Sequence, residues 1–465
     1  MKLRMYHVIA AVFVVHTYAR EEVPPLPAPN PDSVNNFRVA LQAVFGVGVR
    51  LQAFLLEDKK NENFLVSPIS AAVIVGQLIL GAEGEFRKQL IDLLALPNIH
   101  TYENDVLTYH NQKKNMTFVL PYSTLHIQLS NLLKALESGP DAGKHFILKE
   151  KSALFLDHKI TLNETFSRGL KRLYEARIHP VDFASDPTGT QKKVNEWVVK
   201  NTNGLIKTIL AAPPRPTTTS IFANAIYFKA EWQVPFSDTL NRKGHFQVSP
   251  TEAVPVTYMI NQFDQILYSE HANFRITALP YTNEELGMYL ILPKNDNPYK
   301  YDMKGFIQQL TFKDVLHTVN NARRRDVVVK IPKMSLSTSF SILDQLKKYR
   351  VFKEEDVKVN STGVLDVLEQ RVDAFANFTT DEINQTNIYL RHAAIGQPLR
   401  INDIVQQVVI TINEKGTEAA AVSAATIDYM GGAKNFIIDR PFVFFIRHEA
   451  TGASLFWGTV VNPTA

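Results

Sequence analysis

Twelve consecutive residues, Ile69 to Leu80 (ISAAVIVGQLIL), carry a helical pattern that is apolar on nearly every side. A helix with no polar face cannot lie on a surface and has to be wrapped by other elements. Its ends are marked. Ser67-Pro68 supplies an N-cap and a proline at the first helical position, and Gly81 stops it. A chain of 465 residues can surround such a helix with a core large enough to need no covalent staples. It has none, because cysteine is absent, which also excludes thiol catalysis and thiolate metal sites. Formal net charge is only +4, with Lys2 and Arg4 at the extreme amino end, so nothing argues for nucleic acid or an acidic membrane surface.

The first 19 residues read as a secretory signal: a basic head, an apolar run from Val8 to Val15, and a cleavage site at Thr17-Tyr18-Ala19. That run is too short to span a bilayer. Five N-x-[ST] sequons, at Asn115, Asn163, Asn360, Asn377 and Asn384, agree with a secretory route and with glycosylation. Residues 20–35 are expected as a linker, rich in proline and acid over 21–32 (EEVPPLPAPNPD), and 36–463 as one domain. A helical pattern near Ser33 puts Phe37, Leu41, Phe45 and Val49 near one face; Gly46-Val47-Gly48 inside it reads as packing. Further helices are predicted at about 84–95, 120–137, 163–176 and 188–202. From Ser220 the pattern turns to strands, at 219–229, 286–292 and around Val327, Val329 and Ile331, ending in a hairpin from Pro441 to Val461 that turns at 448–453. Helices first and strands later, without βαβ alternation, make an α+β class.

Catalytic signatures are missing. There is no G-x-S-x-G elbow, no H-E-x-x-H, no Walker-type loop and no complete G-x-G-x-x-G, and the histidines have no spacing that fixes a metal. No cofactor is implied. Arg323-Arg324-Arg325 is the sharpest basic cluster and reads as a solvated turn before a strand, with a weak polyanion contact or processing at a basic site as the minor alternatives.

Residues 404–440 are unusual. A strand-like run, Val408 to Ile412, leads into Glu414-Lys415-Gly416-Thr417 and then a series of small residues. The segment has no proline and a period of two. Odd positions 417 to 427 read Thr, Ala, Ala, Ser, Ala, Ile, whereas the charges Glu418 and Asp428 both fall on even positions. Laid into a sheet, every odd side chain faces a packed core and both charges face water. A flexible linker needs no such parity.

The stretch NEKGTEAAAVSA closely resembles the hinge of the serpins, the serine-protease inhibitor superfamily. NFLVSPIS (63–70), LGAEGEF (80–86), KVNEWVVKNTNGLIKTIL (193–210), FANAIYFKAEWQVPF (222–236), MYLILPK (288–294), VVVKIPKMSL (327–336) and RPFVFFIRHEATGASLFWGTVVNP (440–463) continue the likeness in the expected order, with an arthropod-like flavour. The resemblance implies three β-sheets, eight or nine surrounding helices and an exposed reactive-centre loop, here 414–440. It implies a monomer that is no enzyme but a decoy, joined covalently to an extracellular serine protease. The hinge would comprise Glu414, Gly416, Thr417, Ala419, Ala420 and Ala421. Counting within the family pattern, forward from Gly416-Thr417 or back from Pro441, gives the cleaved bond as Met430-Gly431; Tyr429 and Lys434 are the alternatives. A Met430 bait suits chymotrypsin-like or elastase-like enzymes. Ser67, Ser70, Asn195 and Trp232 match family positions around the opening sheet, and Gln406 stands where histidine is frequent. The 355–402 stretch is longer than usual for the family. The rival expectations are a non-inhibitory serpin acting as carrier, storage protein or chaperone, and an extracellular enzyme with an unrecognised site.

Overall fold

The structure, a computed structural model, describes residues 31–58, 62–96, 106–111, 116–121, 123–138, 146–310, 312–345, 347, 388–417 and 432–465. Its longer helices are α1 (Pro31–Asp58), α2 (Pro68–Gly81), α3 (Gly84–Leu93), α4 (Ser123–Ser138), α5 (Glu164–Tyr174), α6 (Pro187–Asn201), α7 (Met303–Gln309) and α8 (Phe312–Asn320). The strands in the first half are β1 (Phe64–Val66), β2 (Val106–Asn111), β3 (Met116–Pro121), β4 (Phe146–Asp157), β5 (Arg177–Val181) and β6 (Ser220–Glu231). Then come β7 (Arg242–Gln247), β8 (Ala253–Glu270), β9 (Phe274–Pro280), β10 (Leu286–Pro293), β11 (Arg323–Pro332) and β12 (Met334–Ser341). The last are β13 (Ile388–Leu390), β14 (Leu399–Ile401), β15 (Asp403–Asn413), β16 (Gly416–Thr417), β17 (Lys434–Ile437), β18 (Phe442–His448) and β19 (Ser454–Val460). None of the described helices is long and apolar enough to cross a membrane.

Two large sheets dominate. The six-stranded one runs β12-β15-β16-β6-β4-β5, and the nine-stranded one runs β1-β19-β18-β10-β9-β8-β11-β17, with β7 on β8. The latter joins two pairing regions through the 18-residue β8, whose early residues pair with β7 and whose last three pair with β9. The main core includes α2 and inward residues of both sheets. Parity along β6 divides its side chains: Phe222, Ile226, Phe228 and Ala230 join that core, whereas Ile221, Ala223 and Ala225 pack beneath Val194, Trp197 and Val198 of α6.

α2 behaves as its composition demands. Ser67 accepts from the N–H of Ser70, Pro68 opens the helix, and every residue from Pro68 to Gly81 is buried except Leu80. The long α1 begins at Pro31, inside the expected linker. Its deepest face is Ala40, Ala43, Val44, Val47 and Leu51; Phe37, Leu41, Phe45 and Val49 form the half-buried flank. Small residues explain the shift, since they let the helix backbone approach its neighbours. A Cβ on Gly46 would overlap the carbonyl of Leu94, and one on Gly48 would come within 2.9 Å of Pro68. Two other expectations are corrected. Residues 116–121 form β3, so the helix predicted from 120 starts at Ser123, because Pro121 closes a hairpin with β2. Arg323–Arg325 are the first residues of β11, not a turn: they pair with Tyr268, Leu267 and Ile266, and Arg324 is half-buried against Glu284 at 3.0 Å.

Gly46→Val should destabilise the protein by about 2 kcal/mol or more through overpacking, read from the urea midpoint. Val49→Ala on the half-buried flank should cost less than half as much.

Candidate functional site at the hinge socket

β6 and β15 lie side by side and run parallel, paired from Asp403 opposite Ile221 to Val408 opposite Ile226. Beyond that seam the two strands part, and β16 occupies the fork, antiparallel to both. Thr417 stands opposite Ile412 and Ala230, and Gly416 opposite Asn413 and Glu231. The turn Glu414-Lys415 reverses the chain from β15 into β16. Gly416 and Thr417 are therefore already seated in the sheet.

Aromatic side chains floor the socket. Thr417 is wholly buried and its hydroxyl lies 3.0 Å from that of Tyr281. Tyr281 stacks on Trp232, with ring centroids 4.4 Å apart and planes 19° from parallel. Trp232 in turn donates from Nε1 to the carbonyl of Asn413 at 2.9 Å and from its backbone to the carbonyl of Lys415 at 2.9 Å. The N–H of Phe236 reaches the carbonyl of Glu414 at 2.7 Å. One indole thus closes off the turn that carries the hinge. Gly416 is required by contact as well as by conformation: its φ is +146°, and a Cβ there would overlap the carbonyl oxygen of Ala230.

Glu414 fixes the turn electrostatically. Its buried carboxylate meets Lys333 at 2.8 Å and accepts from Asn241 Nδ2 at 2.7 Å. Burial acts to raise its pKa. The hydrogen bonds from Lys333, its own backbone N–H and Asn241, together with the Lys333 charge, outweigh that and hold it below the ordinary 4.5. Burial pushes the phenol of Tyr281 well up, so it stays neutral beside Thr417.

Below the fork, a polar row crosses the seam. Ser152 of β4, Asn224 of β6 and Gln406 of β15 are opposed in register, and Gln406 Nε2 donates to Asn224 Oδ1 at 3.2 Å. Asn224 donates to Ser152 Oγ at 3.1 Å and to the buried carboxyl of Glu150. Gln406 Oε1 has no partner among the described residues.

Of the residues singled out from sequence, the structure brings Trp232, Glu414, Gly416 and Thr417 together at the socket. Gln406 lies below them on the seam. Ser67 and Ser70 are buried at the start of α2, with Ser67 Oγ donating to the carbonyl of Leu455 at 2.9 Å. Asn195 stands apart on α6, where its amide clasps Ile209 and Leu210 at 2.9–3.0 Å. Ala419, Ala420, Ala421, Met430 and Gly431 lie outside the described residues, as do Asn115, Asn360, Asn377 and Asn384. Asn163 caps α5 by accepting from the N–H of Thr165 at 2.8 Å. Tyr281, Lys333, Asn241, Asn224 and Glu150 were not anticipated. Asn224, a lone amide inside the apolar run FANAIYF, was the one with a legible signal.

Asp157, His158 and Asp182 bring ligand atoms within 4.8 Å of one another, but both carboxylates already accept backbone N–H groups, from Lys159 and Ser185. A cleft between Tyr289, Glu449 and Arg324 has a cavity volume of about 20 Å³, room for a single water.

The family model for serpins (serine protease inhibitors) matches residues 42–463. The chain is a serpin. It is 27% identical to the leukocyte elastase inhibitor of Xenopus tropicalis over 88% of this chain and 95% of that one. It is equally 27% identical to intracellular coagulation inhibitor 1 of Tachypleus tridentatus, over 86% and 84%. Among solved structures, human thyroxine-binding globulin complexed with its hormone shares the fold at a TM-score of 0.71 and 21% identity, covering 92% of this chain and all of that one. In this serpin the socket is thus the point where Gly416 and Thr417 join the six-stranded sheet.

The sign of the Glu414 effect follows from its lowered pKa. Its contribution is present above about 4.5 and is lost as pH falls through the depressed folded value. Limited proteolysis within 414–417 should accelerate only on acidification below about 4.5, and Lys333→Met should show the acid-type cleavage rate already at neutral pH. Gly416→Val should unseat the hinge at every pH.

Proposed function

We propose that this serpin is a secreted suicide substrate for chymotrypsin- or elastase-like serine proteases, cut between Met430 and Gly431 and trapping the acyl-enzyme by loop insertion. The attacking serine forms an ester with the Met430 carbonyl and expels the amino group of Gly431. The freed arm then enters the sheet before water hydrolyses that ester. At about 3.3 Å per residue, a strand from Thr417 to Met430 spans roughly 45 Å, enough to move the protease from one pole towards the other.

The observation that carries this reading is the register of β16. Thr417 is opposite both Ala230 and Ile412. Continued without a slip, Ala421 would arrive opposite Ile226 and Val408, Ser423 opposite Asn224 and Gln406, and Ala425 opposite Phe222 and Ile404. Those pairs already face one another across the closed seam. Each of Ala421, Ser423 and Ala425 would therefore part an existing pair and fill the place between its members, which asks for small, uncharged side chains. The sequence has them.

A leukocyte elastase inhibitor among the relatives agrees with an apolar bait at Met430. The carrier reading draws on thyroxine-binding globulin; among the described residues the cleft beside Tyr289 has room for a single water. Secretion rests on the leader and sequons, and Arg323 and Arg325, both exposed on β11, are where a weak polyanion contact would fall.

Incubation with chymotrypsin or pancreatic elastase should give a covalent adduct that survives denaturing electrophoresis, and cutting near Met430 should raise the melting temperature. Thr417→Arg should convert the inhibitor into a substrate, since a charge would have to enter the packed sheet beside Tyr281. Adduct formation by that variant at the normal rate would overturn the insertion mechanism.

A further inference from the structure

The polar row across the seam ends in a carboxyl group. Glu150 is 3% exposed, on the same side of β4 as Ser152. It accepts from Ser152 Oγ at 2.9 Å and from Asn224, both neutral donors. The adjacent cation, Lys151, acts on it only through its charge. Lys151 pairs with Glu137 of α4 at 3.1 Å, and Glu137 also takes the backbone N–H of Glu150 at 2.6 Å. Asn224 and Gln406, each wholly buried, are what separates this carboxyl from the gap that appears when β15 leaves β6.

We propose that Glu150 makes opening of the β6–β15 seam depend on pH, holding the sheet closed while protonated and favouring its opening once ionised. The chain of cause is short. In the closed sheet an ionised Glu150 is a dry charge whose hydrogen-bond donors, Ser152 and Asn224, are neutral, whereas an open seam admits water at Asn224. Burial, first, and repulsion by Glu137 raise the carboxyl from 4.5 to about 7 in the closed form; Ser152, Lys151 and Asn224 act the other way. The closed sheet therefore binds the proton more tightly than an open one, and its added stability is lost as pH rises through about 7.

Other charged groups on the surrounding elements include Lys134 on α4, Asp157 at the end of β4, Glu231 at the end of β6 and Arg447 on β18, which meets Glu449 at 3.5 Å. Lys149 and Lys151 flank Glu150 on alternate positions of β4, and β5 adds Arg177 and His179. α2 carries no titratable side chain, α4 adds His126, which is hydrogen-bonded to Tyr174 of α5, and β18 adds His448 against Phe146. On the other face of the sheet, α6 carries Lys192, Lys193, Glu196 and Lys200. Along the seam strands, Lys229 lies on β6, and Asp403 on β15 is held by Ser341 at 2.8 Å.

This adds regulation to the proposed inhibitory role, but its test uses the intact protein without a protease, so either can fail alone. Backbone hydrogen exchange of residues 221–226 and 403–408 is followed at about pH 6 and about pH 8, corrected for the intrinsic pH dependence of exchange. Protection in the wild type should fall about tenfold across that interval, the factor by which a group titrating near 7 releases its proton. Glu150→Gln should keep the same protection at both pH values. Ser152→Ala, which removes one donor from the charged form, should move the transition to higher pH, whereas a purely structural role would lower protection equally throughout. A flat wild-type profile, or a Glu150→Gln profile that falls as the wild type does, would overturn the proposal.

Discussion

The structure turns on a seam that is closed along part of its length and forked at one end. β6 and β15 are bonded to each other from Asp403 to Val408, and the fork beyond is occupied by two residues of a segment that belongs to neither. Everything at the site serves that geometry. Trp232 and Tyr281 floor the fork, Glu414 and Lys333 fix the turn above it, and Gly416 lets the chain pass where no side chain would fit. The rest of the molecule holds the two strands at the correct spacing. α2, buried on all sides, lies in the main core behind them, and α6 lies across the opposite face.

The balance of forces differs between the two parts of the seam. At the fork the charged group is satisfied: Glu414 has a cation and an amide donor, and its pKa falls accordingly. Lower down, Glu150 has neutral donors only, and burial dominates. Two carboxyl groups in one sheet are thus displaced in opposite directions by their partners. A sheet built this way holds a satisfied carboxylate at the fork and one with only neutral hydrogen-bond donors lower on the seam.

Much of this was legible in the chain itself. The helix of α2, its cap and the terminal hairpin follow from local periodicity, because each buries a face whose spacing is written in consecutive residues. Thr417, the first odd position of the alternating segment, is buried against Tyr281. What could not be read was convergence. Tyr281, Asn241 and Lys333 sit in unrelated loops and reach Thr417 and Glu414 only after the two sheets have packed. Glu150 lies in the run Lys149-Glu150-Lys151, which reads as a solvated face, and only the pairing of β4 with β6 turns its middle residue inward. The buried face of α1 was misplaced for a related reason: apolar bulk marks Phe37 and Phe45, yet close approach selects alanine and glycine.

The direction of the strands has a consequence of its own. β6 and β15 run the same way, so their shared ladder is the slanted, slightly weaker kind. β16 opposes both. A chain that carried on from β16 would replace one same-direction ladder with two opposed ones, leaving alternating directions from β12 through to β4. Among the described strands from β12 to β4, the Asp403–Val408 stretch is thus the one place where neighbours run the same way.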